Sequence, residues 1–367
     1  MSTIAEMKVA LQTRGVNVPA SILAEIKEMS PPGINGGIIF GYLGHNEQKT
    51  ALYTAVKNED SALKVTRRSY NRYSLDIDPN FYISFDIRPD IHETDIDGMP
   101  FHRVAGIYPN GHLDFAATHY CYYFDDGNQC KFCTIGEWSN ASGPGRNRIA
   151  KAAKLASDNL NNLHISITTG TLPTIDRGAS AIISLANKFL QHEVRLPYSV
   201  ETEPVPPSYV DEMHALGATT ICSNVEFLDE QVRRMIMPLK GEIEFEQYVK
   251  HWQKCVDTFG VNQVFTNVLI SPLDVNFKEN VVALDRITDL GVIPSLAPMR
   301  MEWTNPDVMK DVGLPEYQYL YDLHVEVTEM LLKKGLNPNL VNAGCHRNGC
   351  YSALRDFYNE AKDSNIL

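Results

Sequence analysis

The chain has 367 residues, 44% of them hydrophobic and 21% charged, the make-up of a globular protein with a substantial core. Its 45 acidic residues against 33 Lys and Arg give a net charge of −12, and the one basic knot, Arg67-Arg68 with Arg72, is short, which argues against a nucleic-acid partner. No stretch approaches the roughly 20 consecutive apolar residues of a membrane span, and the first residues lack the apolar core of a signal peptide, so no membrane partner and a cytoplasmic location are expected.

Residues 1–112 read as an α+β cap. MSTIAEMKVALQTRG predicts a short amphipathic helix, and NRYSLDIDPNFYISFDIRPD and HRVAGIYPNGHLDFAATHYCYYF alternate as strands do, with Asn110-Gly111 marking a tight hairpin. From 113 to 312 strand-like and helix-like runs alternate. The strands are LDFAATHY, LHISITTG, RLPYSVETEP, TTICSNVEF, VNQVFTNVLI and VIPSLAPMR. The intervening helices carry a Pro206-Pro207-Ser208 start and stops at Gly217, Gly260 and Gly291. Six β-α alternations imply right-handed crossovers and a parallel sheet, closed most simply as a partial TIM-like barrel, although an open doubly wound sheet would give the same string. Either architecture puts a site at the carboxyl ends of the strands. Residues 313–367 supply a long amphipathic helix, PEYQYLYDLHVEVTEMLLKKG, and a tail with two cysteines.

Three of the seven cysteines stand together in CYYFDDGNQCKFC, as C-x8-C-x2-C at Cys121, Cys130 and Cys133, directly after the first barrel strand. In a reducing compartment such crowding favours metal binding or catalysis over disulfides. A structural zinc site is closed by four ligands, whereas a cubane iron–sulfur cluster can take three thiolates and leave one iron open. Zinc with His119 as fourth ligand is the alternative, since His119 and Cys121 share a strand face. In GCHRNGCYS, Cys345 and Cys350, with His346 as a further ligand, either hold an auxiliary cluster or are ordinary thiols. Cys222 faces the core or the site, Cys255 reads as a buried apolar residue, Tyr120, Tyr122 and Tyr123 pack around the loop, and Trp138 shields it or joins the core.

The cysteine loop, with Phe132 before its last cysteine, resembles that of the radical S-adenosylmethionine (SAM) superfamily, and residues 113–305 resemble biotin and lipoyl synthase within it. The resemblance implies a radical SAM partial (β/α)6 barrel, a [4Fe-4S] cluster on Cys121, Cys130 and Cys133, and SAM chelated at the open iron. It matches Thr168, Thr169 and Gly170 to the segment that holds the SAM amino group. It puts Glu201 and Glu203 on the strand that turns a carboxylate to the cofactor, and Asn224 and Glu226 on the next. Lys240, with Arg234 second, matches the basic stretch that pairs with the SAM carboxylate, and Leu296 and Pro298 match the strand that packs the adenine. Biotin and lipoyl synthase use C-x3-C-x2-C, so the wider spacing here resembles a less characterised group of their relatives. The implied activity is cleavage of SAM to a 5′-deoxyadenosyl radical that abstracts hydrogen from a small-molecule substrate, fed by an electron donor of the flavodoxin or ferredoxin kind. Sulfur insertion is one outcome, drawing on a second iron–sulfur cluster. Rearrangement, dehydrogenation or 3-amino-3-carboxypropyl transfer are others, and a non-catalytic metal-stabilised binding protein is the reading of a different class.

Overall fold

Two sheets organise the chain in a computed structural model that describes residues 3–29, 40–53, 59–85, 89–125, 127–133, 135, 143–273, 276–299 and 314–364. The first sheet is antiparallel and orders its strands β2-β1-β5-β4-β3, with β1 Phe40–His45, β2 Gln48–Tyr53, β3 Val65–Ser69, β4 Arg72–Leu75 and β5 Asp78–Ser84. Helix α1, Ile4–Arg14, lies against it, and α2, Ala20–Met29, follows. Leu11, Leu43, Tyr73 and Phe81 pack in the core of this unit.

The second sheet holds seven strands in sequential order: β6 Gly106–Tyr108, β7 His112–Ala116, β8 His164–Thr168, β9 Tyr198–Glu201, β10 Ala218–Cys222, β11 Val264–Ile270 and β12 Ile293–Pro298. β7 to β12 run parallel, and β6 joins antiparallel to β7. That hairpin is the expected one, with Asn110 and Gly111 at φ 62° and 71°, conformations that Asn and Gly adopt at least cost. Because of it the sheet begins at Gly106, inside the stretch assigned above to the cap. After the short α3, Phe101–Val104, the crossover helices are α4 Arg146–Asn159, α5 Ala179–Gln191, α6 Pro207–Ala215, α7 Glu230–Ile236, α8 Phe245–Phe259 and α9 Phe277–Asp289. Gly217, Gly260 and Gly291 follow helices with positive φ, the conformation that ends them.

One face of each strand, including Leu113, Phe115, Ile165, Ile167, Val200 and Leu296, packs against these helices in the main core. The other face turns inward. Asp114 of β7 and Ala297 of β12, from opposite ends of the parallel array, line one cavity, so the sheet curls into an open six-stranded parallel barrel.

The C-terminal segment closes the assembly. α10, Tyr317–Lys334, packs on α9 and α1; α11, Gly344–Asn348, sits against β7, β8 and β9; α12, Leu354–Asp363, returns to α1 and α10. This seat explains why α1 is buried on nearly every side, where its sequence predicts an amphipathic surface helix. Lys8, fully buried, donates to Asp356 at 2.8 Å and to the Gly349 carbonyl at 2.7 Å. Gln12 donates to the carbonyls of Cys350 and Tyr351. The polar residues of α1 are therefore buried because the tail supplies their partners. No helix among the described residues is long and apolar enough to cross a membrane.

Candidate active site at the open barrel

Cys121 follows β7, and its loop is stitched to the end of β8: Tyr122 N–H donates to the Thr171 carbonyl at 2.9 Å and Gly170 N–H to the Thr118 carbonyl at 3.3 Å. Gly170 is needed here for close approach, because a Cβ on it would lie 2.1 Å from the Tyr120 carbonyl oxygen and 2.9 Å from Cys121 Cβ. The C-x2-C turn is held from below. Lys131 N–H donates to the Ile236 carbonyl at the end of α7 at 2.9 Å, and Cys130 packs with Phe227, Val232, Ile236 and Met299.

Cys121, Cys130 and Cys133 line one cavity of about 220 Å³, together with Thr168, Thr169, Gly170, Glu201, Glu203, Asn224, Glu226 and Lys240. Among the described residues only His92, Glu93 and His102 bring three ligand atoms within 4.8 Å of one another, so the three sulfurs do not all lie within that distance of each other. A zinc ion with Zn–S bonds of about 2.3 Å wants its sulfurs about 3.8 Å apart. His119 packs beside Gly143 and does not line this cavity, so the Cys3His arrangement is not formed. Three thiols spaced about an open volume suit a bulkier group, and a four-iron cubane fits that donor set. Burial raises the pKa of all three thiols, that of Cys133 to about 11 and that of Cys130 well above its ordinary value, so loading a metal displaces their protons.

The polar residues around the thiols are themselves held. Glu203 accepts from Tyr123 Oη at 3.0 Å and Thr171 Oγ1 at 2.9 Å. Asn224 spends its amide oxygen on the Asn267 N–H at 2.9 Å and the Cys222 thiol at 2.8 Å, and its NH2 is the side-chain group left to donate. Glu226 adopts φ 65°, a strained conformation for a glutamate, and meets Lys240 at 3.1 Å. Burial works against the Lys240 ammonium, yet Glu226 and its anionic neighbours hold its pKa well above the ordinary value.

A second cavity of about 230 Å³ adjoins the first, sharing Phe132, Thr168, Glu201 and Glu226 with it. Its other walls are Asp114, Asn267, Leu269, the β12 end at Ala297, Pro298 and Met299, Cys345 of α11, and Tyr53 and Tyr351 from the cap and the tail. Burial raises Asp114 to about 6, and burial with the charges of Asp114 and Glu226 raises Glu201 to about 7. A larger open groove of about 790 Å³, with Tyr122, Ile175, Arg177 and Lys250 in its wall, lies outside and touches none of the thiols.

Two residues expected at the site are elsewhere. Leu296 lies fully buried in the main core and lines neither cavity; β12 pairs Asn267 with Ser295 and Leu269 with Ala297, so its inward residues are the odd-numbered ones, and of the two β12 residues expected at the site Pro298, at the strand end, reaches the second cavity and Leu296 does not. Arg234 is exposed and bound to Glu230 one turn back on α7 at 2.6 Å; the basic groups lining the first cavity are Lys240 and Arg177, the latter donating to Tyr122 Oη at 3.1 Å. Cys345 and Cys350 do not share a cavity: Cys345 faces the second cavity, while Cys350 is 1% exposed and packed among Ala51, Tyr53, Tyr108 and Tyr351. His346 turns to the Cys222 thiol at 3.2 Å and stacks on Phe265. Cys222 thus faces the barrel interior, Cys255 is buried on α8, and Trp138 lies outside the described residues.

Asp114, Asn267, Tyr53 and Tyr351 escaped the sequence reading. Asp114 had a signal: an acid between Leu113 and Phe115 on an alternating strand must face inward. The tyrosines had none, because they arrive from segments distant in the chain.

No protein-family model and no curated protein matches the sequence. Among solved structures the chain is similar to methylornithine synthase, with 13% identity over 61% of this chain and 62% of that one and a TM-score of 0.46. It is similar to coproporphyrinogen III oxidase from Escherichia coli, a radical SAM enzyme, with 15% identity over 67% and 58% of the two chains and a TM-score of 0.41. It is also similar to a radical SAM methyltransferase from Sphaerobacter thermophilus, with 11% identity over 87% and 80% of the chains and a TM-score of 0.43. The chain spans about six-tenths of the length of the first two.

Proposed function

We propose that this chain is a radical SAM enzyme acting on a small molecule. The observation that carries the reading is the first cavity: three thiols lining one volume, not all within 4.8 Å of one another, facing strand-end polar groups, the largely buried Lys240 and Arg177. A [4Fe-4S] cluster with SAM at its open iron supplies reductive cleavage of the sulfonium and a 5′-deoxyadenosyl radical for hydrogen abstraction. Cys121, Cys130 and Cys133 would hold the cluster. The backbone of Thr168, Thr169 and Gly170 and the Asn224 amide would take the amino-acid and ribose groups of SAM, and Lys240 its carboxylate. Phe132 and Pro298 would flank the adjoining space. The second cavity would take the substrate, with Tyr53 and Tyr351 helping to exclude water from a radical that water-borne reductants would quench. The electron would come from a carrier of the flavodoxin or ferredoxin kind.

Sulfur insertion would draw on a second cluster; of the two tail cysteines Cys345 lines the second cavity, while Cys350 is packed behind its Tyr53 and Tyr351 walls. The reaction is proposed at the level of hydrogen abstraction, with insertion, rearrangement, dehydrogenation and 3-amino-3-carboxypropyl transfer to be told apart by their products. Anaerobic reconstitution tests the proposal: about four irons per chain and 5′-deoxyadenosine on reduction with SAM are expected, both lost when Cys121, Cys130 and Cys133 are changed to Ala. Zinc as the stable metal, with no SAM cleavage, would favour the binding-protein reading instead.

A further inference from the structure

The second cavity has a charge problem. Asp114 and Glu201, on β7 and β9 with β8 between them, both face it, and no Lys, Arg or His among the described residues lines it. Lys240 lines the adjoining first cavity and is already paired with Glu226, which lines both cavities. Neither Asp114 nor Glu201 forms an ion pair among the described residues. Asp114 Oδ1 is fully enclosed with no hydrogen-bond partner. A carboxylate with one enclosed, unpartnered oxygen is costly unless it takes up a proton or something brings positive charge to it.

The remaining walls also suit a cation. Tyr53 and Tyr351, with ring centroids 4.7 Å apart, stand at the same cavity as Phe132, and aromatic faces attract organic cations. The Cys345 thiol is a neutral neighbour: burial, with Glu201 and Asp114 beside it, raises its pKa well above the ordinary value. Carboxyls and rings thus surround a volume of about 230 Å³ that is large enough for a small metabolite.

From this arrangement we infer that the substrate is a small organic cation, an amine or guanidine, whose positive group sits between Asp114 and Glu201 and against Tyr53 and Tyr351. The inference rests on the reading of this cavity as the substrate site, but its charge argument is independent of the cluster. An anionic substrate would place like charges together. A neutral one would leave Asp114 Oδ1 without a partner and Glu201 with the Cys345 thiol alone.

The test uses the full-length chain, purified anaerobically, and saturation-transfer NMR with a panel of small primary amines and the alcohols and carboxylates of the same skeletons. Amines should bind in preference to both other classes. The Asp114→Asn/Glu201→Gln double variant should weaken amine binding about tenfold or more while alcohol binding is unchanged. The single Glu201→Gln variant, measured in parallel with thermal melting, provides the readout should the double variant fold poorly. Amines that bind no better than alcohols, or that bind the variants as tightly as the parent, would overturn the inference. Loss of SAM binding in parallel with amine binding would also overturn it, since the carboxyls would then belong to the cofactor. Failure to form 5′-deoxyadenosine would count against the radical SAM reading and leave this inference standing.

Discussion

Lys240 carries the most consequence per residue. It is the buried partner of Glu226, so Lys240→Met should cost about 3 kcal/mol by leaving a carboxylate uncompensated. If the ammonium also holds the SAM carboxylate, adding Glu226→Gln should restore the melting temperature while SAM affinity remains about tenfold weaker. Recovery of both by the double variant would reduce Lys240 to a structural role. The place of this lysine beside the thiols was legible from its position after the fourth barrel strand, but its pairing with Glu226, which adopts a left-handed backbone conformation, was not. Arg234 offered the same charge six residues earlier. Nothing in the sequence said that α7 would turn it to solvent.

At the scale of elements, the close contact between the end of β8 and the cysteine loop is the most sensitive joint. Gly170→Ala would drive a methyl group into the Tyr120 carbonyl. The expected cost is about 1–3 kcal/mol, with reduced iron loading in the same variant, measured by denaturation and metal analysis. Unchanged iron content would mean that the loop finds its geometry without this seat. The strands and crossover helices themselves were legible, because alternation of period two and helical patterns of period 3.6 are local properties. Leu296 shows the limit of that legibility. A strand buried on both faces reads as a nearly continuous apolar run in which the lone Ser295 is a weak mark of the inward face, and the parity of β12 is set by its register with β11.

For the whole molecule, buried neutral histidines set the acid limit. Burial lowers both His251 and His324 from 6.5 to about 4. His324 bonds the Leu320 carbonyl and Ser352 through its two ring nitrogens. Above pH 6.5 both states leave the rings neutral; below it the unfolded chain takes up protons that the folded chain refuses until about pH 4. Stability should therefore fall across that window, by about 2–3 kcal/mol per histidine at pH near 4.5. Urea denaturation at a series of pH values checks this, and His324→Gln should flatten the slope. A profile that His324→Gln leaves unchanged would locate the acid sensitivity elsewhere. The joining of the two chain ends was the least legible feature: α1 meets α12 and the tail through Lys8 and Gln12, contacts more than 300 residues apart that no local pattern encodes.

The central claim is a cluster held by three protein thiolates with SAM completing its coordination. Electron paramagnetic resonance of the anaerobically reconstituted, dithionite-reduced protein, recorded before and after adding SAM, tests it most directly. The account predicts a [4Fe-4S]⁺ signal whose g-values shift when SAM is added and which is absent from the Cys121/Cys130/Cys133→Ala variant. A cluster signal indifferent to SAM would mean that a fourth side chain already fills its coordination, and would contradict the account.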